Sequence, residues 1–249
     1  MELKNIEQYT ADRRRFVLVV DSSDRSRRIL STLLKQFDYD PHAVSTAEEA
    51  VEVSTAIGPV LIVTAGQIDP ACNAVQLIRS VRSANPDCTA PFIVLIAKSD
   101  PAFERECLKA GALTCLHAPV TFENFYRVIQ VAIEPIPRMT IRISTNLPAA
   151  ISGKRKDESV QEISEHGAYL LTSTLHPLGT RLPVKFKLPT CVVSVDAVVI
   201  YAKRPDEDAK GRTGLGLQFE WISEADQKRI RLFIRSEMTK DIIPPPPAQ

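Results

Sequence analysis

The sequence lacks the features that would commit it to several large functional classes. No apolar run among its 249 residues reaches the roughly 20 positions that a membrane-spanning helix requires. The opening stretch MELKNIEQYTADRRR is polar, without the apolar core of a secretory signal, so a cytoplasmic location is expected. Five cysteines (Cys72, Cys88, Cys107, Cys115, Cys191) form no CxxC pair and are odd in number. That favours reduced, mostly buried thiols over a disulfide framework or a zinc site. Charge of one sign is not in excess, because 31 Lys and Arg face 30 Asp and Glu for a formal net charge of +1. No global basic field draws the chain to DNA or an anionic membrane, and any phosphate-binding site must be local. The four histidines (His42, His117, His166, His176) have no ligand-like spacing, and no nucleophile–base pair, metal cluster or phosphate loop occurs. No catalytic residue, metal or cofactor is expected, and the chain reads as no enzyme. What is present, 44% hydrophobic and 24% charged residues, suits a globular protein with a real core.

The periodicity divides the chain in two. From Phe16 to about Ile133, short apolar runs alternate with amphipathic helices. Phe16–Val20, Val60–Val63, Phe92–Ile96 and a short run at Cys115–Leu116 read as strands. Arg25–Phe37 carries Ile29, Leu30, Leu33 and Leu34 at helical spacing, and Asp24 is expected to cap it. Thr46 and Glu49 form a capping-box pattern, and Ala74–Arg82 places Val75, Leu77, Ile78 and Val81 inward. A further helix runs from about Pro101 to Ala110 and stops at Gly111, and another starts at Thr121. Strands buried on both faces and joined by helices imply a doubly wound parallel α/β sheet.

Beyond Pro135 and Pro137 the period becomes two. Ala149–Ile151, Val160–Ile163, Ala168–Leu171, Leu182–Leu188, Val192–Tyr201 and Leu215–Phe219 read as strands without intervening helices. Six such strands suggest a small antiparallel β-barrel. Ser223, three positions before Asp226, caps a closing helix that reaches about Met238. Phe219 and Trp221 are expected on one strand face, packed under that helix. Lys203–Arg212 is expected to be a solvated hairpin tip, and IIPPPPAQ an extended tail. The expected domains are 14–134, 135–240 and a proline-rich tail at 241–249.

The first half resembles the receiver domain of response regulators, through VLVVDSSDRSRRIL, GPVLIVTAGQ, PFIVLIAKSD and LKAGALTCLHAPV. The resemblance implies a flavodoxin-like fold with an acidic pair for Mg²⁺, an acceptor Asp ending the third strand, a Thr or Ser, and a Lys. Here Asp21 holds the first acidic position, but Ser22 replaces the second. The third strand ends Val63-Thr64-Ala65-Gly66 without an Asp, Ile96 stands at the Thr/Ser position, and Ala118 stands at the Lys position. A hard cation and a phosphoryl acceptor need several carboxylates together. Asp21 is then a remnant acidic position, Asp69 is a turn residue, and the domain is expected to be a pseudo-receiver.

The second half resembles the PilZ family, through Arg138-Met-Thr-Ile-Arg142, Glu162-Ile-Ser164-Glu-His-Gly167, HPLGTRLPVKFKLP and GLGLQF. The family signature is RxxxR followed by [D/N]xSxxG, and it implies cyclic-di-GMP as ligand with Arg138, Arg142, Glu162, Ser164 and Gly167 as the binding residues. Arginines can stack on guanine and fork onto phosphate. The acid and Ser164 supply further polar contacts, and Gly167 is expected to permit a tight turn. Glu162 departs from the pattern by one methylene. The implied function is a cyclic-di-GMP receptor relaying ligand state to a protein partner through its receiver or barrel surface, and a homodimer is a further expected partnership. The alternative is a ligand-independent adaptor in motility or polarity control. Neither reading involves DNA or a membrane.

Overall fold

The computed structural model describes residues 16–152, 154–203 and 213–240. The expected hairpin tip (all but its first residue) and the proline-rich tail lie outside the described residues, as does the polar opening segment. Contacts divide the chain into two units, 1–139 and 140–249.

In the first unit, β1 (Phe16–Val20), β2 (Asp40–Val44), β3 (Leu61–Ala65), β4 (Phe92–Ile96) and β5 (Thr114–His117) form a parallel sheet ordered β2-β1-β3-β4-β5. All five residues of β1 are buried, as expected for a strand covered on both faces. The connecting helices are α1 (Asp24–Gln36), α2 (Ala47–Ile57), α3 (Ala74–Ala84), α4 (Pro101–Ala110) and α5 (Phe122–Ile133). Helix α1 buries Leu30, Leu33 and Leu34, each contributing about 1.5–3 kcal/mol. Gly111 ends α4 in the left-handed region at φ 108°, where glycine avoids a Cβ penalty.

Three expectations change here. The cap of α1 is Ser23, whose hydroxyl accepts from Ser26 N–H, while Asp24 lies inside the helix and pairs with Arg27 and Arg28. Thr46 does cap α2, but Glu49 reaches Ser45 N–H rather than completing the reciprocal box. Strand β2 is also additional to the four strands read from the sequence. Its DPHAV run is largely exposed and contains a proline, so it has the character of an edge strand and carries no apolar signal.

The second unit is a closed barrel ordered β10-β11-β8-β7-β6-β9. Its strands are β6 (Ile143–Ile151), β7 (Lys154–Ser164), β8 (Gly167–Thr172), β9 (Arg181–Lys187), β10 (Val192–Lys203) and β11 (Thr213–Ile222). Strand β9 alternates strictly, with Leu182, Val184 and Phe186 buried, so a one-residue slip would turn all three outward. Buried Glu158 accepts from Ile151 N–H at 2.7 Å and from the Thr172 hydroxyl at 3.3 Å, which offsets its desolvation. Helix α6 (Glu224–Thr239) is capped by Ser223 and buries Ile230, Ile234 and Met238. Its Asp226 accepts from Ser194 N–H of β10 and pairs with Arg229.

Trp221 is not core. It is 61% exposed, because a register shift in the β10–β11 pairing opposes Asp196 to Trp221 but Ala197 to Phe219. The extra residue disrupts the alternation that the sequence spacing implied. Phe219 is only partly exposed and stacks on Phe186 at 6.3 Å.

Candidate functional site

The β7–β8 hairpin and the start of β6 build the site in the second unit. Ile143 pairs with Ile163 and Ser144 with Glu162, which brings the residue before β6, Arg142, beside the β7–β8 turn. Arg142, Glu162, Ser164 and Gly167 line one small pocket together with Tyr169, Ile200, Tyr201, Gly216 and Leu217. Its interior holds about 40 Å³, room for roughly one water. A dinucleotide can therefore only lie across its mouth.

The side chains differ in readiness. Arg142 is exposed, and neither it nor the partly exposed Glu162 has a hydrogen-bond or ion-pair partner among the described residues. Two opposite charges thus share one pocket without neutralising each other. Ser164 is buried, and its hydroxyl donates to the Gly167 carbonyl at 3.2 Å, which fixes the hairpin end.

Gly167 serves a different purpose from the tight turn anticipated. Among the described residues the left-handed glycines are Gly58, Gly111 and Gly179, and Gly167 is not one of them. A Cβ on Gly167 would instead stand 2.5 Å from the Leu217 carbonyl oxygen, so the residue permits close approach of β8 to β11.

Tyr169, Ile200 and Tyr201 were not singled out from the sequence. The two tyrosine rings stack at 6.2 Å with an interplanar angle of 20°. They lie over the glycines of GLGLQF: a side chain on Gly214 would collide with Tyr169, and one on Gly216 with Tyr201. The available signal was the Gly-x-Gly alternation on β11, which leaves room for large residues from the neighbouring strands. Tyr201 is 43% exposed and Ile200 50% exposed, so the pocket has an apolar, aromatic wall open to solvent.

Arg138 falls in the first unit and does not line the pocket. Its side chain is exposed, but its backbone N–H donates to Gln130 Oε1 at 2.9 Å. Gln130 is buried on α5 and donates to the Tyr39 hydroxyl, which in turn donates to Glu134; both bonds are 2.8 Å. Burial, reinforced by Glu134, raises the Tyr39 phenol well above its ordinary range, so it remains a donor. The linker carrying the first arginine is therefore anchored by a fully hydrogen-bonded chain.

In the first unit, Asp21, Ala65, Ile96 and Ala118, the positions compared with the receiver chemistry, line one cleft. The carboxylate of Asp21 accepts from Ser23 N–H at 2.8 Å. Asp69 accepts from Ala71 and Cys72 N–H, as a turn residue does. Among the described residues no cluster of His, Cys, Asp and Glu could hold a metal ion. All five cysteines are free, with Cys88, Cys107 and Cys115 buried. Burial pushes the Cys115 thiol up to about 12, with Cys107 adding to the shift. Among the described residues no helix is long and apolar enough to cross a membrane.

Residues 137–236 match the PilZ domain family. A cyclic di-GMP phosphodiesterase of Thermotoga maritima is 25% identical over 107 residues, which is 43% of this chain and 28% of that protein. A protein-glutamate methylesterase/protein-glutamine glutaminase of Idiomarina loihiensis is 29% identical over 157 residues, 57% of this chain and 39% of that protein. The matches thus span well under half the length of these curated relatives. The beryllofluoride-activated NtrC4 receiver domain dimer aligns with a TM-score of 0.44 at 27% identity, covering 48% of this chain and 97% of that one. The chain carries a PilZ domain, and receiver domains are among the structural neighbours of its N-terminal half.

Proposed function

We propose that this chain, with its PilZ domain at residues 137–236, is a non-enzymatic signalling protein that binds cyclic-di-GMP and relays ligand occupancy to a protein partner. The observation that carries this reading is that Arg142 and Glu162, neither with a partner among the described residues, line one pocket beside Ser164. The guanidinium of Arg142 forks onto a phosphate or a guanine acceptor edge, and the carboxylate of Glu162 accepts from guanine N–H groups. A guanine lies against the open face of Tyr201 and Ile200, where aromatic stacking adds affinity. Arg138 joins from the linker. Because its backbone is held by Gln130, ordering that side chain around ligand acts on the segment between the two units. The proposed domain bounds are 14–134 for a pseudo-receiver without phosphoryl chemistry and 135–240 for the PilZ domain.

One observation favours the adaptor alternative. Glu162 stands where the family pattern has Asp or Asn, and misplacing one such contact costs about 1–3 kcal/mol. Calorimetric titration of the full chain with cyclic-di-GMP decides between the two. Saturable binding at micromolar ligand supports the receptor, and no heat at sub-millimolar ligand leaves the adaptor.

A further inference from the structure

A cleft in the first unit lies at the C-terminal edge of its sheet and holds about 770 Å³. That is the size range of small-molecule sites, roughly 300–1,000 Å³. The order β2-β1-β3-β4-β5 reverses direction between β1 and β3, and such switch points open a crevice outside the strand ends. A charged site is what the resemblance to receivers would put there. Much of the wall is instead apolar, with Ala65, Ile96 and Ala118 at the ends of β3 and β4 and just past β5, Ile29 from α1 and Phe103 from α4, beside a polar lining of Asp21, Ser26, Gln67, Asn73, Lys98 and Asp100.

The polar groups around the cleft are mostly committed. Asp21 accepts from Ser23 N–H, Asp100 caps α4 by accepting from Ala102 and Phe103 N–H, and Asn73 caps α3 in a reciprocal box with Gln76. Lys98 is exposed and has no ion-pair or hydrogen-bond partner among the described residues. Among the described residues the cleft thus offers an apolar wall, one cation without a partner in Lys98, and two carboxylates, Asp21 and Asp100, each turned to backbone N–H groups.

We propose that this cleft is a second ligand site, separate from the PilZ pocket, which takes a small organic acid with an aromatic or alicyclic body. The body displaces water from Ile29, Phe103, Ala118 and Val120, and the carboxylate or sulfonate meets Lys98. Burial of apolar surface supplies the affinity, and the single charge contact at the rim orients the ligand. The site uses the space left where Ala118 stands in place of a lysine and β3 ends at Ala65 without an acid, and Ile96 makes the wall between them apolar.

The test titrates the full chain with two fluorescent dyes sharing an apolar body. One is 1-anilinonaphthalene-8-sulfonate, an anion, and the other is neutral N-phenyl-1-naphthylamine. Both should bind saturably with one site in the cleft, the anion about three- to tenfold more tightly. Ala65→Leu and Ala118→Phe narrow the cleft from different strands, and each should weaken both dyes about tenfold or more. Circular dichroism and melting temperature check that each variant is folded, and either one alone suffices. Lys98→Met should remove the preference for the anion and leave the neutral dye unchanged. Non-saturable fluorescence in the native chain overturns the site. So does saturable binding that folded Ala65→Leu or Ala118→Phe leaves untouched, which places the dye elsewhere. Equal weakening of both dyes by Lys98→Met overturns the assignment of an acid.

Discussion

Replacing Arg142 with alanine separates a ligand-binding arginine from a structural one. The side chain is exposed and has no partner among the described residues, so its removal should change folding stability by no more than about 0.5 kcal/mol. If the guanidinium forks onto the ligand, two charge-assisted hydrogen bonds disappear. At about 1.5 kcal/mol each, the loss is about 3 kcal/mol, or roughly a hundredfold in affinity. Arg142→Lys keeps the charge but not the planar fork, and should fall between the two at roughly tenfold. The assay is calorimetric titration with cyclic-di-GMP, paired with thermal melts of all three proteins. Native affinity in Arg142→Ala, with an unchanged melt, would refute the argument, because the arginine proposed to hold the ligand would then contribute nothing. A melt lowered by many degrees would refute it differently, by showing that Arg142 supports the barrel.

Glu162→Asp tests the departure from the family pattern. A site adapted to the longer acid should bind similarly or slightly worse by titration, whereas a damaged site should gain about tenfold, one recovered polar contact. Gly167→Ala drives a methyl toward the Leu217 carbonyl oxygen 2.5 Å away. Overpacking of that kind costs about 1–3 kcal/mol, so the melting temperature should drop by roughly 5–15 °C; an unchanged melt contradicts the close approach of β8 and β11. In the first unit, incubation with acetyl phosphate and Mg²⁺ should leave the intact mass unchanged, and an acid-labile phosphoryl adduct would show that an acceptor exists after all. Iodoacetamide at pH 8 should modify Cys191 well before Cys115 in the native chain, because burial holds the Cys115 thiol near 12; peptide mapping reads the order, and equal labelling would contradict the burial.

Much of this molecule was legible along the chain. Strands such as FVLVV and FIVLI are buried on both faces, and composition alone states that. The period-two half needed only local alternation, as in β9, where every second residue enters the barrel. The residues of ExSxxG are neighbours in sequence, so their arrival in one hairpin followed from the strand reading, and the missing acids of the first unit could be counted position by position. Strand β2 was not legible, because an edge strand with a proline and mostly exposed side chains owes its existence to the backbone of β1 rather than to its own pattern.

Tertiary structure alone decided which distant residues complete the site. Tyr201 and Gly216 join the hairpin residues through strand pairings fixed by barrel closure, and no local pattern encodes that neighbourhood. The same holds for Trp221, turned outward by a register shift in one strand pair. It also holds for the reason behind Gly167, which is a carbonyl about fifty residues further on rather than a turn of its own. The apolar cleft needed the sheet order: Ala65, Ile96 and Ala118 read as losses one at a time, and they become a single wall only when β3, β4 and β5 lie side by side. Sequence specifies each strand's faces because alternation and burial are local. The sheet order and register that choose a strand's neighbours arise only when the whole chain closes on itself.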